Sequence, residues 1–140
     1  MRLLNWIYVS KSCISSDNAD NEITKIVERS RVNNKNLDVT GVLVFDGTHF
    51  AQLVEGPEAN IQDLRLSIER DRRHQEVTTI LFDNREIRQL PTWSLAYSGR
   101  SLVIRRTIGR ALRDTEQEQP GAGTKLLEHL ITLARQGRHP

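Results

Sequence analysis

The chain contains a single cysteine, Cys13. It cannot close an internal disulfide, and such sparing use of cysteine fits a reducing, cytoplasmic setting. Its histidines, His49, His74, His129 and His139, are scattered, so no zinc-ligand spacing arises and no metal is expected. No apolar run approaches the roughly 20 residues that cross a bilayer, which excludes a membrane partner of that kind. The opening "MRLLNWIYVS" turns polar too soon for a secretory leader. A net charge of +2 gives no reason to expect nucleic acid. No Gly-rich loop of the G-x-G-x-x-G type appears, which argues against dinucleotide redox catalysis.

What is present is an ordinary globular composition, with 37% apolar and 27% charged residues in 140. That length suits one domain with a real core. "LLNWIYVS" reads as a strand with Leu4, Trp6, Tyr8 and Ser10 on one face. "SSDNADNEITKIVERSRVNN" opens with cap-type residues and carries Ala19, Ile23, Ile26, Val27 and Ser30 at helical spacing. Extending that stripe points Asn34 inward at the end of the helix. "VTGVLVFDGTHFAQLVEG" is two β-rich runs joined by Asp-Gly, a strong hairpin signal. "GPEANIQDLRLSIERDRRH" predicts a second helix with Pro57 near its first turn and the stripe Ile61, Leu64 and Ile68, which Asp71 extends. "QEVTTILFDNREI" and "WSLAYSG" read as two further strands, with a bend at Pro91 between them.

This order, β-α-β-β-α-β-β, predicts an α+β fold: a ferredoxin-like split βαβ sheet with two helices on one face. Residues 101–140 read as a helical extension of two helices that packs on the sheet or at an interface. Its first helix has Ile104, Ile108, Ala111 and Leu112 on one face and Arg106, Arg110 and Arg113 on another. The second carries Leu126, Leu127, Leu130, Ile131 and Ala134.

Three polar side chains are placed inward: Tyr8, Asn34 and Gln52. In a split βαβ sheet the strands before the two helices are neighbours, so Tyr8 and Gln52 can meet. One reading has them satisfy each other inside a core, in a small-ligand-binding regulatory module. The other has Asn34 and Gln52 bind a flat ligand whose edge alternates C=O and N–H groups. Composition and periodicity leave both open.

The motifs "YVS" at 8–10, "NN" at 33–34, "VTGVLVFDGTHFAQLVEG" at 39–56, "DRRH" at 71–74 and "WSL" at 93–95 resemble, in order and spacing, the BLUF family of flavin-based blue-light sensors. The resemblance covers residues 1–100, which it implies form the flavin-binding domain. It implies that Tyr8 and Gln52 are the photoactive pair and that Ser30, Asn33, Asn34, Gln52, Asp71, Arg73 and His74 bind the cofactor. That cofactor is FAD, with FMN or riboflavin as the other forms. Trp93 and Leu95 take the positions of a signal relay, and Leu95 departs from the methionine that is common there.

The resemblance also implies a receptor rather than an enzyme. It implies that light drives electron and proton transfer from Tyr8, through Gln52, and reversibly rearranges hydrogen bonds. The signal is expected to reach a downstream protein partner in trans, and the apolar face of the tail suggests a homo-oligomer.

Overall fold

A computed structural model describes residues 2–15, 17–90, 95–97 and 102–136. Strand β1 (Leu3–Ser12) leads to helix α1 (Ala19–Asn36), the hairpin β2 (Thr40–Phe45) and β3 (His49–Pro57), then helix α2 (Glu58–Arg70) and strand β4 (His74–Arg85). Strand β5 (Leu95–Tyr97) and helices α3 (Leu102–Glu116) and α4 (Thr124–Gln136) complete the chain. The sheet order is β4-β1-β3-β2-β5, the predicted split βαβ arrangement with one strand added at an edge. Strand β1 lies antiparallel to both β3 and β4, whereas β5 runs parallel to β2. Trp93 lies outside the described residues, and of Leu95 only the backbone is described.

Alternation along the strands divides the apolar residues between two cores. On one face Leu4, Trp6, Tyr8 and Val54 pack under Ile61 of α2. Beside them Leu43, Phe45 and Phe50 pack under Ala19, Ile23 and Val27 of α1. The opposite face joins Ile7, Val9, Val42, Val44, Ala51 and Leu53 to Ile104 and Ile108 of α3 and Leu126 and Leu130 of α4. Every residue of β2 is therefore buried, as its unbroken "TGVLVF" run anticipates for a strand covered on both sides.

The hairpin turns at Gly47, whose φ of 100° suits glycine far better than any other residue. Asp46 closes the turn, its Oδ1 accepting the N–H groups of Thr48 (2.8 Å) and His49 (2.7 Å). Gly123, with φ 85°, lets the start of α4 pass so close to Ile80 that any side chain would collide with the Ile80 methyl.

Two local expectations are corrected. The polar run before α1 supplies no side-chain cap: Asn18 is the N-cap residue and makes no such hydrogen bond. Asp20 and Glu22 in the first turn favour that end through the helix dipole instead. Asp71 does not prolong the α2 stripe. It follows the helix in extended backbone (φ −71°, ψ 121°), because the chain must turn there into β4.

Candidate functional site

Tyr8 and Gln52 stand directly opposite each other in the β1–β3 register. Their side chains point to the same face, so strand pairing alone brings them together. The Tyr8 hydroxyl donates to Gln52 Oε1 at 2.6 Å, and both side chains are buried. Burial, and secondarily the Asp71 carboxylate, push the Tyr8 phenol well above the ordinary tyrosine range. The phenolate is thus strongly disfavoured, and the hydroxyl is held as a donor.

This pair forms the floor of a cleft between α1 and α2. A cavity of about 80 Å³ lies there and opens to solvent. Ile26, Leu43, Phe50, Leu64 and Ile68 supply apolar walls, while Ser30, Asn34, Asp71, Arg73 and His74 bring polar groups to the same space. That combination of flat apolar walls and a few directed polar groups suits an aromatic ring with a polar edge.

Asn34 is the informative member. It is 2% exposed, and its Nδ2 has no hydrogen-bond partner. Leaving such a donor unmet costs about 1–3 kcal/mol, so a ligand acceptor in the cleft would relieve a real penalty. Its own carbonyl accepts the N–H of Val39 at 2.8 Å, which fixes the helix end that carries it. Asn33 is exposed and does not line the cleft. Adjacent helical positions diverge by about 100°, so Asn33 points away from the cleft that Asn34 faces.

Arg73 grips Asp71 with both carboxylate oxygens engaged: Nε lies 2.9 Å from Oδ1 and 3.1 Å from Oδ2, and a terminal nitrogen is 2.5 Å from Oδ2. This charge-assisted pair holds the Asp71 carboxyl below the usual carboxylate range and raises Arg73 further. His74 bridges two elements, with Nε2 2.5 Å from the Ile68 carbonyl and Nδ1 2.7 Å from Ser10 Oγ. A carbonyl only accepts, so Nε2 carries the proton, and in the neutral ring Nδ1 accepts from the Ser10 hydroxyl. Ser10 was not anticipated at the site. Its signal was available, since it follows Tyr8 by two residues on the same strand face.

A second buried polar group closes the strand. Glu55, fully buried on the opposite face of β3, accepts the N–H groups of Gln89 (2.7 Å) and Leu90 (3.0 Å) through one oxygen. Among the described residues, no cluster of His, Cys, Asp or Glu could hold a metal ion. No helix among them is long and apolar enough to cross a membrane.

The comparisons with known proteins agree with this geometry. Over 75 residues the chain is 36% identical to the blue light- and temperature-regulated antirepressor BluF of Escherichia coli K12, a match spanning 54% of this chain and only 19% of that protein. The fold matches the dark-state structure of BlrB, a BLUF protein, with a TM-score of 0.72 at 28% identity, covering 96% of this chain and 97% of that one. It also matches a bacterial light-regulated adenylyl cyclase with a TM-score of 0.69 at 26% identity, covering 99% of this chain but 40% of the cyclase. A model of the family described as sensors of blue-light using FAD matches residues 3–96, the same stretch that sets Tyr8 against Gln52 beneath the cleft, and this chain belongs to that BLUF family.

Proposed function

We propose that the switch of this blue-light receptor is the Tyr8–Gln52 hydrogen bond and that its flavin is FAD. The 2.6 Å contact, set in the same cleft as the unmet Asn34 N–H, carries this reading. Ser30, Asn34, Gln52 and the Asp71–Arg73 pair are the groups suited to hold the ring edge and its polar substituents, with His74 bracing the cleft from β4. The chemistry of these donors fits a flavin, whose pyrimidine edge alternates acceptors and a donor.

A bound flavin, excited by blue light, supplies a one-electron oxidant. Tyr8 gives up the electron, and its phenol, now a strong acid, passes its proton along the existing bond to Gln52 Oε1. When the electron and proton return, the planar Gln52 amide settles in one of two arrangements, with either its oxygen or its NH₂ toward Tyr8. Each presents a different group to the cleft, so absorption shifts to the red until the first arrangement recovers. The dark state needs no covalent change in the chain.

The output is a contact with another protein rather than catalytic turnover, in the cytoplasm, with residues 1–100 as sensor and 101–140 as the extension that answers it. Leu102 and Val103, each 60% exposed, offer apolar surface for a partner in trans or a second copy. Size measurements on dark and illuminated protein test this part: no change, alone or with any candidate partner, counts against it.

The central test is an absorption spectrum before and after blue light. A flavin spectrum that moves to the red and recovers is expected, with Gln52→Leu and Tyr8→Phe keeping flavin but losing the shift. A colourless protein that takes up no flavin refutes the reading. A yellow protein that never shifts keeps the site and removes the switch.

A further inference from the structure

Two residues before Tyr8, on the same face of β1, lies the fully buried Trp6. The two rings are 4.7 Å apart, centroid to centroid, and tilted by 34°. Rings in van der Waals contact exchange an electron readily, and an indole gives one up more easily than a phenol that still carries its proton. Once oxidised, Tyr8 therefore has two fates. It releases its proton to Gln52 Oε1 and keeps the electron vacancy, or it recovers an electron from Trp6, keeps its proton and leaves the indole one electron short. Only the first fate engages Gln52.

We propose that Arg65 is a positioning residue that keeps Trp6 out of this exchange and so directs oxidation at Tyr8 into proton transfer to Gln52. The inference rests on the switch proposed above. The Arg65 guanidinium carbon lies 5.5 Å from the Trp6 ring centroid and 5.2 Å from that of Phe82. A cation is drawn to the face of a neutral indole and repelled by an indole that has lost an electron. Shedding a proton would relieve that repulsion, but Trp6 Nε1 donates at 3.0 Å to Thr79 Oγ1, a hydroxyl too weakly basic to keep it. Tyr8 has the opposite arrangement, with a proton acceptor at 2.6 Å. Glu69 Oε1, 3.3 Å from Arg65 Nε, and the partial exposure of both side chains weaken the field without removing it. We expect removal of the Arg65 charge to shift the partition between phenol and indole by about tenfold.

The experiment is flash excitation of the flavin-loaded full chain carrying Trp93→Phe as the parent, so that Trp6 is its only indole, reading the identity of the amino-acid radical from its transient absorption and, separately, the yield of the red shift. The parent protein is expected to show a phenol radical without an indole radical. Arg65→Gln should gain an indole radical and lose red-shift yield, whereas Arg65→Lys, which keeps a cation, should stay close to the parent. Adding Trp6→Phe to Arg65→Gln should abolish the indole signal and restore the yield. An Arg65→Gln protein that binds flavin yet forms no indole radical at unchanged yield overturns the proposal, as does an indole radical already present in the parent. Persistence of the red shift in Tyr8→Phe would instead refute the Tyr8 switch, and that outcome is read without any Arg65 variant.

Discussion

Gln52 is tolerated in a core because Tyr8 meets its oxygen, and Asn34 remains the buried amide with an unmet donor. Replacing Asn34 with alanine should therefore weaken flavin binding by about 1–3 kcal/mol, roughly ten- to a hundredfold in Kd. Flavin titration of the variant checks this; unchanged affinity would take Asn34 out of the site. Tyr8 makes a second test, through pH. Its folded pKa is raised above the ordinary 10.0, so the folded state resists ionising where the unfolded chain does not. Stability is then unaffected by this group below pH 10.0 and falls as pH rises above it. Ultraviolet titration should find Tyr8 still protonated when the unfolded chain has ionised. For Asp71 the sign reverses: its pKa is lowered from 3.8, so its contribution is fully present above that pH and is lost as the pH falls below it. An acid titration in which Asp71→Asn destabilises the protein at neutral pH but not near pH 2 would bear this out.

Among the elements, β3 does double duty. Its cleft face carries Gln52, and its opposite face carries Glu55, which gathers the backbone of residues 89 and 90 against the sheet. Arg88 adds to the same junction, donating to Thr40 Oγ1 at 3.0 Å and to the Glu55 carbonyl at 3.1 Å. Asn5 of β1, paired with Glu55 in register, donates to Gln89 Oε1 at 2.8 Å. The segment leaving β4 is thus tied to all three central strands. Glu55→Ala strands the buried Leu90 N–H and the half-buried Gln89 N–H and should destabilise the protein by about 1–3 kcal/mol. Glu55→Gln, which retains an acceptor oxygen, should cost less. Hydrogen exchange at the Gln89 and Leu90 amides should accelerate in the alanine variant, and unchanged protection would show that Glu55 is not what holds the segment.

At the scale of the molecule, the sheet is covered on both sides, by α1 and α2 over the cleft and by α3 and α4 over the other face. The sensor strands therefore share a core with the tail. Leu130 is fully buried in that core, and Leu130→Ala should lower stability by about 2–5 kcal/mol in denaturant unfolding. The cleft lies on the other side of the sheet, so the variant should still bind flavin. A parallel loss of flavin affinity would show that the two faces are energetically coupled.

Whatever depends on neighbours within one turn or one strand was determined by the sequence alone. Alternation put Gln52 on the face of Phe50 and Val54 and Tyr8 on that of Leu4 and Trp6, helical spacing turned Asn34 inward, and Asp-Gly placed the hairpin at Gly47. Those periods follow from backbone geometry, and local side chains obey them wherever one face is buried. The order of motifs, read as a family resemblance, pointed to Ser30, Asn34, Gln52, Asp71, Arg73 and His74, which line the cleft, and to Asn33, which does not. Tertiary structure decided what depends on partners distant in the chain. It set Ser10 on His74, placed Arg65 over Trp6, and brought residues 88–90 to Glu55 across more than thirty positions. Strand order and register create those contacts, and no periodicity in the chain encodes them, because they arise only once the sheet has closed its two faces.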